Sequence, residues 1–183
     1  DDILAAYKEG CNSITHLYSC TSTITRDHGY RRLGVIETAY LLDDMYVEMI
    51  ADGHHLPLEL IALICKLKDR SKICLVTDCM PVSGTGDTTG YIGATQFIVE
   101  NGVCKLADRS AFAGSIATTD RLVRTVVSAG VPMEDAVKMM TENPAALLNL
   151  KKGKLEKGYD SDIVIFDENI NIEKVIVGGK EIQ

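Results

Sequence analysis

Apolar positions along the chain switch repeatedly between a period near two and a period near 3.6. Residues 11–19 (CNSITHLYS) read as a strand, and residues 31–44 (RRLGVIETAYLLDD) carry helical spacing. A second strand follows at 46–52 (YVEMIAD), a helix at 56–69 (LPLELIALICKLKD) and a third strand at 72–78 (KICLVTD). These strands are almost continuously apolar, the pattern of a parallel sheet covered by helices on both faces. Beyond residue 80 the rhythm changes. Residues 95–107 (TQFIVENGVCKLA) place Glu100-Asn101-Gly102 between two β-rich arms, which predicts a hairpin. A short segment at 111–115 (AFAGS) leads into a helix over 118–130, with Thr118 or Thr119 as its cap and Gly130 at its end. Another helix starts near Met133, and a short one over 143–150 has Pro144 in its first turn. From Asp162 the tail alternates as strands, turning at Gly178-Gly179.

The expected fold class is α/β: a partial (half) TIM-type β/α barrel with part of a small terminal β domain. Three or four parallel strands cannot close a barrel, since a complete eight-stranded one takes about 250 residues. Residues 1–150 would form the half barrel and 151–183 the strands of the small β domain, which would then pack on something outside the chain.

Composition narrows the functional classes. A chain of 183 residues, 46% hydrophobic and 25% charged, can bury a real core and is not disordered throughout. A net charge of −7 argues against nucleic acid or an anionic membrane surface as the main partner. No apolar run is long enough to span a membrane, and no signal peptide is visible. The six cysteines form no CxxC pair and sit mostly in apolar segments, so buried free thiols in a reducing cytoplasm are expected. The chain opens on Asp1-Asp2 without a methionine, which suggests that it was cut from something longer.

Candidate chemistry gathers where strands end. His16 lies late in the first strand, Asp52 and His55 at the end of the second, and Asp78 at the end of the third. In parallel α/β folds the carboxyl ends of separate strands converge on the site. Imidazole and carboxylate on neighbouring strands suit a divalent metal ion, although a catalytic zinc site has three protein ligands and this chain offers two clear ones. Plainer readings stand beside this one. His16 alone could be a hydrogen-bonded rim residue, Asp78 could cap a turn, and Asp52-Gly53 could be an ordinary turn pair. Arg26, Arg31 and Arg32 could form a solvated face, and the loop 83–90 lacks the lysine of a phosphate-binding P-loop.

Five segments, THLYS (15–19), IADGHHLP (50–57), LVTDCM (75–80), FAGS (112–115) and ENPAALLNL (142–150), together resemble the N-acetylglucosamine-6-phosphate deacetylases of the amidohydrolase superfamily. The stretch GKLEKGYDSDIVIFD (153–167) is similar to that superfamily's return into its small β domain. The resemblance implies a divalent metal cofactor, zinc or iron, with His16 and Asp78 at the metal and Asp78 as general base and acid. It places His55 on the substrate within an Asp52-Gly53-x-His55 motif, and Arg26 on the sugar phosphate, over its own site or in that of a partner subunit. Ser19 and Cys20 stand where the family commonly has Asn-Ala contacting substrate, and Phe112, Ala113 and Gly114 match a backbone segment lining the pocket. The implied reaction converts N-acetylglucosamine 6-phosphate to glucosamine 6-phosphate and acetate, in amino-sugar catabolism, by a cytoplasmic homodimer. Relatives carry an upstream half with a further glutamate and histidine ligand, so this chain resembles a carboxyl-terminal half and is expected to be inactive alone. Two other readings remain open. One is another amidohydrolase, such as a cyclic-amide hydrolase or deaminase; the other is a non-catalytic half-barrel interaction module that dimerises to hide its sheet edges.

Overall fold

A computed structural model describes residues 2–182. Helix α1 (Asp2–Lys8) precedes a two-residue strand β1 (Ser13–Ile14), a hairpin of β2 (Thr25–Asp27) and β3 (Tyr30–Arg32), and helix α2 (Val35–Leu41). Strand β4 (Tyr46–Met49), helix α3 (Leu58–Leu67) and strand β5 (Ile73–Leu75) follow. Four strands then come in succession: β6 (Thr89–Ile92), β7 (Thr95–Glu100), β8 (Val103–Leu106) and β9 (Phe112–Gly114). Helices α4 (Thr119–Ser128), α5 (Met133–Met140) and α6 (Glu142–Leu147) lead to the terminal strands β10 (Ile163–Phe166), β11 (Ile172–Val177) and β12 (Lys180–Glu181).

Strands β1, β4 and β5 form a parallel sheet in that order, with Ser13 opposite Tyr46 and Val47 opposite Ile73. All of β5 is buried, and Val47 and Met49 of β4 pack with Ile61 and Ile64 of α3 and Leu122 and Val126 of α4. Antiparallel β6–β9 form a second sheet, in which Asn101 and Gly102 make the expected tight turn with positive φ of 55° and 77°. Phe97 is its buried anchor, and Gly90 is required beside it: a Cβ there would lie 2.4 Å from the Phe97 ring. The two sheets meet just past β9. The Ser115 N–H donates to Asp78 O (2.9 Å) and the Met80 N–H to Ser115 O (2.8 Å), bridging the chain parallel to the segment after β5.

Three expectations need correction. The helix expected from residue 31 starts at Val35, because residues 25–32 pair as a hairpin through a His28-Gly29 turn in which both residues have positive φ. The terminal sheet does not wait for an outside surface on its inner side: buried Ile170 and half-buried Phe166 join the main core, and Arg124 donates to Ile170 O at 2.7 Å. Its Val164, Ile165 and Val177 stay exposed. Cysteine burial was overestimated, since all six thiols are free but only Cys65, Cys74 and Cys104 are buried.

One feature of the helical layer carried no sequence signal. Lys68, at the end of α3, is buried, and its ammonium donates to the carbonyls of Ala39 (3.0 Å), Leu42 (2.6 Å) and Asp43 (3.2 Å). It satisfies the free carbonyls at the end of α2 and so ties that helix to α3. Among the described residues, no helix is long and apolar enough to cross a membrane.

Candidate active site

The carboxyl ends of three parallel strands point the same way, so the residues that follow them share one rim. After β1 the chain turns sharply, and His16, Tyr18 and Cys20 all take positive φ (31°, 74° and 53°). After β5, Asp78 does the same at 46°. Non-glycine residues in this region are strained by roughly 1–3 kcal/mol each, and such strain clusters at functional sites. Here it curls the side chains of His16 and Asp78 into one pocket of about 400 Å³. Ser19, Cys20 and His55 line the same pocket, and the Phe112–Gly114 segment, held beside Asp78 by the Ser115 bridge, closes another wall.

Asp52 and His55 form the most fully hydrogen-bonded part of the rim. Asp52 is 2% exposed, and one carboxylate oxygen accepts from the backbone N–H of His54 (2.9 Å) and of His55 (2.8 Å). The other oxygen lies 2.8 Å from His55 Nδ1. Burial acts to raise the Asp52 pKa, but the hydrogen bonds from the His55 ring and the two backbone amides outweigh it and hold the carboxyl below its ordinary value. An ionised Asp52 keeps the proton on Nδ1, so a neutral His55 ring has only the lone pair of Nε2 to offer a ligand. The Phe112 ring, tilted by 57° with its centroid 4.9 Å away, fixes the imidazole from the other side.

His16 and Asp78 present the opposite condition. Nδ1 of His16 is buried without a hydrogen-bond partner among the described residues. Asp78 is exposed; its backbone carbonyl is anchored by Ser115, while its carboxylate caps no turn among the described residues. Asp69, Asp108 and Asp167 each accept from the amide two residues on, and Asp78 does not share that habit. The turn-capping alternative for Asp78 therefore loses its support.

Of the residues singled out in the sequence, the pocket brings together His16, Ser19, Cys20, His55, Asp78, Phe112, Ala113 and Gly114. Asp52 and Gly53 do not line it; the Asp52 carboxylate is committed to holding His55. Arg26 is exposed on the β2–β3 hairpin, outside the lining of its own pocket. Tyr18, Ile50 and Ala111 line the pocket without having been singled out. Tyr18 lies inside the THLYS segment itself, and its hydroxyl meets that of Tyr40 at 3.2 Å.

Set against known proteins, residues 1–182 match the amidohydrolase family. The chain belongs to the amidohydrolase family. Among curated amidohydrolase relatives, the N-acetylglucosamine-6-phosphate deacetylase of Lysinibacillus sphaericus is 32% identical, covering 96% of this chain and 44% of its own length. An N-acetylgalactosamine-6-phosphate deacetylase of Escherichia coli O157:H7 is 28% identical, over 96% of this chain and 46% of its own. The crystal structure of the N-acetylglucosamine-6-phosphate deacetylase of Thermotoga maritima superposes with a TM-score of 0.88 at 30% identity, covering 98% of this chain and 49% of that one. The chain thus spans about half the length of the relatives it matches.

Amidohydrolases are generally metal-dependent. Among the described residues, no group of three or more histidine, cysteine or acidic side chains is placed to hold a metal ion. The two that share the pocket nevertheless fit one chemically. The unpartnered ring nitrogen of His16 and the uncommitted carboxylate of Asp78 are the donor types that divalent zinc or iron takes. They are one short of the three protein ligands usual at a catalytic zinc.

Proposed function

We propose that the protein carrying this chain removes the acetyl group of N-acetylglucosamine 6-phosphate, giving glucosamine 6-phosphate and acetate in amino-sugar catabolism. The observation that carries this reading is the pocket shared by His16 and Asp78, in which Nδ1 of His16 is buried and, among the described residues, unpartnered. Residues 1–150 serve as the carboxyl-terminal half of a TIM-type barrel, and residues 151–183 as return strands of the small β domain. The deacetylase names and the TM-score of 0.88 support that architecture.

His16 and Asp78 would hold a divalent ion, zinc or iron, which supplies Lewis-acid polarisation of the acetamide carbonyl and lowers the pKa of water. Asp78 takes the proton from the attacking water and delivers it to the departing amine nitrogen, so the C–N bond breaks as the new C–O bond is completed. Because Nδ1 of His55 is given to Asp52, His55 meets a phosphate oxygen as the protonated ring, or accepts from a sugar hydroxyl as the neutral one. Phe112–Gly114 shape the pocket wall, and Ser19 and Cys20 line the space the sugar would occupy. Arg26 stands outside its own pocket and serves that of a second subunit in a homodimer. The setting is cytoplasmic, in keeping with six unpaired thiols.

The test is acetate release from N-acetylglucosamine 6-phosphate by the full-length protein supplied with zinc or iron. Turnover is expected from it and not from residues 1–183 alone, which bring two ligands. Preference for a cyclic amide or an aminated base over the acetylated sugar would replace this reading with another amidohydrolase activity.

A further inference from the structure

The β2–β3 hairpin carries three arginines, and its register sorts them by face. Cross-strand partners share a face and successive residues alternate. Thr25 pairs with Arg32 and Asp27 with Tyr30, which puts these four on one side, while Arg26 pairs with Arg31 on the other. The first side neutralises itself: Asp27 binds Arg32 at 3.0 Å and His28 at 2.8 Å. On the second side the strand residues are two arginines, Arg26 and Arg31. Among the described residues, neither Arg26 nor Arg31 is joined to a carboxylate, although the chain as a whole carries −7.

That arrangement works against the hairpin. Like charges directly opposite one another destabilise a strand pair, and a two-stranded ribbon is marginal to begin with. All six strand residues here are exposed, so no burial offsets the repulsion. An anion seated between the two groups would remove it. Guanidinium forks match phosphate oxygens bidentately, and two of them can satisfy the three terminal oxygens of a phosphate monoester. The net charge of −7 disfavours an extended polyanion such as nucleic acid, and the fork geometry favours a small phosphorylated ligand.

We propose that Arg31 acts with Arg26 as a two-guanidinium clamp on the substrate's phosphate, so that Arg31 is a further specificity-determining residue. This rests on the reading of the pocket as that of a deacetylase acting on a sugar 6-phosphate. The experiment compares the kcat/KM ratio for N-acetylglucosamine 6-phosphate over N-acetylglucosamine in full-length wild type, Arg31→Ala, Arg31→Lys and Arg32→Ala, with inorganic phosphate as a competing probe. Arg31→Ala should lower the ratio by about tenfold or more, the scale of one lost charge-assisted hydrogen bond, and weaken inhibition by inorganic phosphate in parallel. Arg31→Lys should recover part of the loss, because it restores charge but not the fork. Arg32→Ala, whose partner is Asp27, should leave the ratio near that of wild type. A wild-type ratio in Arg31→Ala overturns the clamp alone. A wild type that does not prefer the phosphorylated sugar overturns the deacetylase reading, and the clamp with it.

Discussion

Two corners of the same rim are built on opposite rules. After β4, each oxygen of the Asp52 carboxylate is occupied, the pair with His55 is buried, and the ring is steadied by Phe112. After β1 and β5, His16 and Asp78 occupy left-handed backbone, one ring nitrogen is buried unpaired, and a carboxylate is left free. An unpartnered buried polar group costs roughly 1–3 kcal/mol. A corner that completes its own hydrogen bonds aims one residue at the pocket. A corner that stays incomplete leaves donors free for the divalent ion proposed above.

The largest effect is expected at Asp78. In the full-length enzyme Asp78→Asn should lower kcat by about 10² to 10⁴, because the amide keeps the shape but cannot accept the proton. The KM for N-acetylglucosamine 6-phosphate should stay near wild type. Steady-state kinetics at neutral pH checks both numbers, and a nearly intact kcat would return Asp78 to a structural role.

A smaller effect is expected at the completed corner, and it should appear in stability as well as binding. Asp52→Asn should destabilise the fold by about 1–3 kcal/mol in urea, through weaker hydrogen bonds to His54 and His55, and raise KM more than it lowers kcat. The pH dependence has a definite sign. The folded-state pKa of Asp52 is depressed, so its contribution is present above the unfolded value and is lost as pH falls through the folded one. Wild type should therefore lose stability on acidification more steeply than Asp52→Asn. Parallel acid limbs for the two proteins would show that Asp52 is not linked in this way.

The legible parts of the molecule are those whose physics is local and repetitive. Strands β4 and β5 and helices α3 and α4 follow from apolar period, and the Asn101-Gly102 turn from two residues that tolerate positive φ. Hairpin β2–β3 escaped because none of its residues is buried, so it leaves no alternating pattern, and its turn uses histidine at a positive φ. Helix α1 escaped for the same reason, having no buried residue. Strand β1 is shorter than its apolar run because the chain is already turning at His16. At the candidate site, strand-end position was enough to group His16, His55 and Asp78, which line one pocket. What it could not give was direction: nothing in Asp-Gly-x-His says whether the carboxylate faces the ligand or the histidine three residues on. That choice is made by burial of Asp52 and by the two amides that turn towards it.

On this reading the incomplete corner binds a divalent ion, while the completed one only aims a side chain. Metal content by mass spectrometry of the full-length protein, as wild type, His16→Ala and Asp52→Asn, tests it most directly. Stoichiometric zinc or iron is expected in wild type and in Asp52→Asn, and its loss in a folded His16→Ala protein. Full metal content in His16→Ala would contradict it.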